Sequence, residues 1–192
     1  DRGLDGLLTL WPQLGEREPT AELHVAYGWS TIDRYIALGR GDLIVLKEQI
    51  LELLAKTPRV IWCGRLPQAE LARLYQESYC WLYPTTFAEV SCISAMEAMA
   101  GGAVPVTSAV GALSETIGGA GLVVTGNAYT PAWREFWLMC AKAALFSPEV
   151  RRPLTVAGQA RARELTWDAA YGRWKMMTTG LLEGHQEMVR EV

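Results

Sequence analysis

Histidine, paired cysteine and an excess of either charge are what this sequence has least of. Only His24 and His185 occur in 192 residues, in unrelated segments, so a histidine-based metal site and a Ser-His triad around Ser94 or Ser114 both lack their parts. The four cysteines, Cys63, Cys80, Cys92 and Cys140, form no CxxC pair and have no histidine at ligand spacing, so reduced thiols are expected, and with them a cytoplasmic setting. Lys and Arg number 18 against 21 Asp and Glu, a formal net charge of −3, which argues against a nucleic-acid partner and makes any phosphate site a local one. No Asp cluster or DxD string is present to hold a divalent ion. No apolar run approaches the roughly 20 residues that span a bilayer, and no basic-then-apolar leader opens the chain, so membrane association is expected to be peripheral at most.

What is present is half apolar, with 20% charged residues and 9% aromatics, the balance of a globular domain. Short apolar runs alternate with helical patterns. Leu4, Leu7, Leu8, Leu10, Trp11 and Leu14 form a helical stripe, and Ala21–Tyr27 reads as a strand ending at Gly28. A loop through Gly39 and Gly41 leads to a helix over Leu43–Ala55. Arg59–Cys63 is a strand ending at Gly64, Gln68–Ser78 a helix, and Cys80–Tyr83 a buried strand stopped by Pro84. A helix over Glu89–Ala100 closes at Gly101-Gly102, Val104–Val106 and Leu122–Val124 are strands, and from Pro131 onward only helices are expected, broken at Pro148 and Pro153. The last of them follows Trp167-Asp168.

The fold class expected is α/β, a Rossmann-like doubly wound parallel sheet with a helical C-terminal tail. Residues 1–130 would be its core and 131–192 a helical segment of the same domain. Such sheets bind ligands at the carboxyl ends of their strands, which gathers Gly28, Gly64, Pro84 and the loop after Val106 around one crevice. The chain departs from the pattern by opening directly into a helix where a central strand is usual.

The most informative segment runs from Phe87 to Val106. Glu89 and Glu97 stand eight positions apart, one before a helix and one about two turns into it, within reach of a ligand about 10 Å long. Between them the N–H groups of Ser91, Cys92, Ile93 and Ser94 form a helix start able to hold a phosphate without a basic side chain. Carboxylates accept from vicinal hydroxyls, so the arrangement suits a sugar, a diphosphate and a ribose laid end to end. An isolated Glu pair at this spacing is ordinarily a solvated face. The strand end Tyr83-Pro84-Thr85, aimed at the same crevice, favours the ligand reading.

This segment resembles the Glu, seven residues, Glu motif of GT-B glycosyltransferases, and Glu97-Ala98-Met99-Ala100-Gly101 with Pro105-Val106 is similar to that family's most recognisable string. Asp1-Arg2-Gly3-Leu4 resembles its first basic loop, Val60–Gly64 its third strand, Gln68–Tyr75 the helix after it, and Gly111-Ala112-Leu113-Ser114-Glu115 its Gly-containing loop before a Glu. The resemblance implies a C-terminal donor-binding half of a retaining, metal-independent enzyme of glycan biosynthesis, with no cofactor and a UDP- or GDP-linked sugar as substrate. Glu89 and Arg2 would be catalytic. Arg2 stands where a Lys is usual and would clamp the diphosphate bidentately. Glu97 would hold the ribose, Ser91, Cys92, Ile93 and Ser94 the diphosphate, and the backbone near Arg65, Leu66 and Gly28 the nucleobase. The acceptor, a sugar, lipid or protein, would be brought by an N-terminal domain outside this sequence, through which a peripheral membrane contact is conceivable. Thr166-Trp167 is similar to the segment that crosses back toward that domain. Val90 and Cys92 stand where the commoner motif has glycines, which allow closer backbone approach to a ligand.

Other features have plainer readings. Tyr27-Gly28-Trp29 is either a base-stacking platform or rim packing. His24 is expected packed and hydrogen-bonded within its strand, His185 solvated in a polar tail. Two rivals stand beside the transferase: a non-catalytic nucleotide- or partner-binding module of the same fold, and a GT-B epimerase, against which the Glu-Ala-Met-Ala string argues.

Overall fold

A computed structural model describes residues 2–16, 20–128 and 130–190, with side chains described as far as Gly180. Asp1 and the side chain of His185 lie outside this set. The elements are α1 (Leu4–Gly15), β1 (Leu23–Val25), α2 (Ser30–Ala37), α3 (Asp42–Lys56), β2 (Val60–Trp62), α4 (Gln68–Glu77), β3 (Cys80–Tyr83), α5 (Ile93–Gly101), β4 (Val104–Ser108), α6 (Leu113–Ile117), β5 (Leu122–Val124), α7 (Pro131–Phe146), α8 (Pro148–Glu164) and α9 (Trp167–Arg190).

All described strand pairs are parallel, and they fall into two sets. β1 pairs with β2, while β4 lies between β3 and β5. A doubly wound domain of this kind would show one continuous sheet; here β1 and β3 share no ladder. β4 is buried at every position and is the centre of its set. Pro105 is tolerated there for a positional reason. Val104 N–H donates toward β3, to Tyr79 O, so alternation turns Pro105 toward β5, whose pairing begins only at Val106.

α1 buries Leu7, Leu8, Leu10, Trp11 and Leu14 on one stripe, and this stripe joins Val104, Val106, Trp133 and Trp137 in the main core. α7 therefore belongs to the same core as the strands. Three expectations are corrected. The stretch after Gly28 is not simply loop, because Ser30–Ala37 forms α2. α5 begins at Ile93, leaving Glu89 in the preceding loop. Pro153 does not break α8, which runs through it from Pro148. Pro148 sits in the first turn, where its missing donor costs nothing. Tertiary contacts hold the rest: Arg151 Nη1 donates to the Ala144 and Leu145 carbonyls at the end of α7, and Thr155 Oγ1 to Gly102 O at 3.2 Å.

Candidate functional site

Parallel strands place their carboxyl ends together, and the loop after β3 carries the first carboxylate. Its backbone is locked by a bridge between Glu89 and Gly111, with Ala112 N–H donating to Glu89 O at 2.7 Å. Gly111 has φ +60°, and a Cβ there would lie 2.2 Å from Glu89 O. Gly3, at φ +83°, lies equally close to the other end of the loop, where a Cβ would meet Pro84 O at 2.3 Å. These two glycines let three loops run backbone against backbone.

The Glu89 side chain is 11% exposed and accepts from Tyr83 OH at 2.7 Å and from Arg2 Nη1. Both of these bonds fall on Oε1. The Arg2 guanidinium lies 3.7 Å from the Phe87 ring centroid, so an aromatic face and a carboxylate hold it together. Burial alone would lower the pKa of Arg2, but its bonds to Tyr83 and Glu89 outweigh that and raise it. Burial, reinforced by the bond to Glu89, pushes the Tyr83 phenol up to about 12.

α5 starts without a side-chain cap. Ala95 and Met96 N–H both donate to Cys92 O, so the amides of Ile93 and Ser94 precede the helical ladder. Cys92 is buried and its thiol raised by burial, whereas Ser91, Ile93 and Ser94 are exposed. Arg2, Glu89 and residues 91–94 line one cavity of about 1220 Å³.

Glu97 lies one turn further along α5, outside that cavity wall. Its carboxylate accepts from Gln68 Nε2 at 2.6 Å. The neighbouring Tyr75 phenol is pushed up to about 12 by burial and by the Glu97 charge, against a bond from Ser94. Gly28 and Arg65 form another group at the ends of β1 and β2, where a Cβ on Gly28 would meet Arg65 Cβ at 3.1 Å; Arg65 is exposed and Leu66 half-buried. Tyr27, Trp29 and Trp62 pack on one another there, the two indoles stacked at 5.2 Å. His24 is not packed as expected. It is exposed, 3.3 Å from the Glu22 carboxylate and 3.8 Å from Cys63 Sγ, because this face of the short β1 is uncovered.

Sequence reasoning missed the roles of Tyr83, Phe87, Gly111 and Gln68. Only the alternation Phe87, Glu89 hinted that the ring and the carboxylate share a side. Tyr75 and Tyr83 bind their protons more tightly folded than at their ordinary value of 10.0, so stability linked to them is complete below pH 10 and is lost as pH rises toward about 12. Urea midpoints measured across that window should fall, and fall less in the Tyr75→Phe, Tyr83→Phe double variant; equal slopes would contradict these shifts.

With this geometry in place, comparison with known proteins identifies the class. The family described as Glycosyl transferases group 1 matches residues 2–135. The chain belongs to that family, and its α/β fold with C-terminal helices matches part of the GT-B glycosyltransferases. It is similar to sucrose-phosphate synthase from Thermosynechococcus elongatus, at 21% identity and TM-score 0.69 over 95% of this chain and 43% of that one. It is similar also to the pneumococcal O-GlcNAc transferase GtfA, solved with UDP and GlcNAc, at 15% identity and TM-score 0.69 over 94% and 33%. A third likeness is to α,α-trehalose 6-phosphate synthase from Burkholderia multivorans, at 13% identity and TM-score 0.73 over 97% and 41%. The chain thus spans less than half the length of these structures. None of the curated protein sequences matches it significantly. Among the described residues no helix is long and apolar enough to cross a membrane.

Proposed function

We propose that this domain binds a nucleotide diphosphate sugar, UDP- or GDP-linked, and that with a second domain it transfers the sugar to an acceptor hydroxyl with retention of configuration. The observation that carries the reading is one cavity wall made of a carboxylate, a guanidinium and an open helix start. The helix amides and Arg2 would stabilise the charge that develops on the departing diphosphate. The second oxygen of Glu89 would accept from sugar hydroxyls. Glu97, with its Gln68 partner, would take the ribose, and the backbone at Gly28, Arg65 and Leu66 the base. Residues 1–130 would form the donor-binding core and 131–192 its helical segment, with exposed Trp167 at the start of α9 near the other domain. A cytoplasmic setting accords with the free thiols.

Calorimetric titration with UDP and GDP tests the proposal. One of them should bind, and Arg2→Gln should weaken it about tenfold, the loss of one charge-assisted contact. Because helix and guanidinium already supply the positive field, EDTA should leave affinity unchanged. Binding of neither nucleotide, or its loss on chelation, would overturn the reading.

A further inference from the structure

Glu89 accepts from two donors of unequal permanence. Arg2 is the looser one: its side chain is 41% exposed, whereas the carboxylate it pairs with is 11% exposed. Its guanidinium rests on the ring of Phe87, which is itself exposed, and Arg2 lines the cavity, so the cation can turn toward a ligand without unpacking the core. Tyr83 is fixed. It ends β3, and its carbonyl accepts from Thr85 N–H at 2.9 Å and from the buried Thr107 Oγ1 at 2.7 Å. Its ring stacks on Trp81, two positions back on the same face of the strand, with centroids 4.6 Å apart. Burial, with the bond to Glu89 second, raises this phenol to about 12, so at neutral pH it is a standing donor. Arg2 Nη1 also lies 3.4 Å from the phenol oxygen, which closes the three groups into a triangle.

We infer that Tyr83 is a positioning residue for an exchange of partners, in which Arg2 leaves Glu89 for the diphosphate and Tyr83 keeps the Glu89 carboxylate in place. The inference rests on the donor reading proposed above. A diphosphate carries more charge than a carboxylate and offers paired oxygens to the guanidinium fork, so Arg2 binds it in preference. What Arg2 leaves behind is the difficulty. A carboxylate this enclosed is costly to strip of its donors, and that cost would be charged against nucleotide affinity. The phenol bond to Oε1 survives the exchange and keeps the cost low. It also fixes the carboxylate with Oε2 turned away from Tyr83 and open to a sugar hydroxyl. Tyr83 thus raises affinity for a diphosphate that it does not touch.

Calorimetric titration with UDP, or with GDP where that is the nucleotide bound, is made on the wild type, Tyr83→Phe, Glu89→Gln and the double variant. Tyr83→Phe should weaken binding about tenfold in the wild-type background and less than about twofold beside Glu89→Gln, where no charge is left stranded. A Tyr83 that merely supports β3 would cost the same in both backgrounds. Equal losses therefore overturn the inference, as does a Tyr83→Phe affinity equal to that of the wild type. The second readout is NMR of the unaltered chain, which holds whether or not a variant folds. The ring current of Phe87 shields the Arg2 side-chain protons in the free protein. Saturation with nucleotide should move them to unshielded positions while the Tyr83 ring signals stay. Arg2 signals that do not move mean that the guanidinium has kept Glu89, and the inference fails alone. Binding of neither UDP nor GDP removes the donor reading, and this inference with it.

Discussion

Glu89→Ala is expected to spare the free nucleoside diphosphate and to abolish the extra affinity of its sugar conjugate. Glu89 holds Arg2 through an ion pair whose partners are 41% and 11% exposed, so its removal frees a guanidinium that can still turn toward a diphosphate. Affinity for the diphosphate should stay within about 0.5 kcal/mol of wild type or improve, while the sugar conjugate loses about 1.5–3 kcal/mol. In an enzyme carrying the acceptor domain, turnover should fall by about 10²–10³, since the same contact orients the anomeric carbon. Glu97→Ala should behave differently, weakening both ligands alike through the ribose. Calorimetric titration of both ligands against both variants decides, and equal losses for Glu89→Ala would show that the sugar end has been assigned to the wrong carboxylate.

Gly111→Val is expected to cost about 2–4 kcal/mol of stability and to displace Glu89. Two penalties combine: a branched residue at φ +60°, and a Cβ 2.2 Å from the Glu89 carbonyl, where neither backbone can yield cheaply. Gly119→Ala separates them. Gly119 has φ +82° but nothing within 4 Å of its Cβ position, so it should show only the conformational cost of about 1–2 kcal/mol. Urea unfolding of Gly111→Ala beside Gly119→Ala isolates the contact. Equal losses would mean that the bridge to Glu89 does not constrain the loop.

The sheet was largely legible in the sequence where an apolar run ended in a chain-breaking residue. Cys80–Tyr83 before Pro84 and Leu122–Val124 formed as read, because a continuous apolar run and a stop signal are both local properties, although Cys80–Tyr83, expected buried, is only partly so. Ser30–Ala37 was less legible, since the helix is short and, although Ile32, Tyr35 and Ile36 keep helical spacing, only Ile32 is buried. Pro153 misled because its cost inside a helix is offset by neighbours distant in sequence, as the bond from Thr155 to Gly102 shows.

By itself the sequence determined the family, the strand and helix alternation, and the open helix start between Glu89 and Glu97. Each of these is written in residues a few positions apart. Only the tertiary structure decided that Arg2 reaches Glu89 across 87 positions, that Tyr83 and Phe87 hold the pair, that Gln68 takes Glu97, and that β1 and β3 face each other across a gap. The physical reason is that periodicity and capping report which way a side chain or amide points along its own element. Which distant group meets it depends on how the elements pack, and that is set by the summed burial of Leu14, Val104, Trp137 and the rest of the core, not by any local pattern.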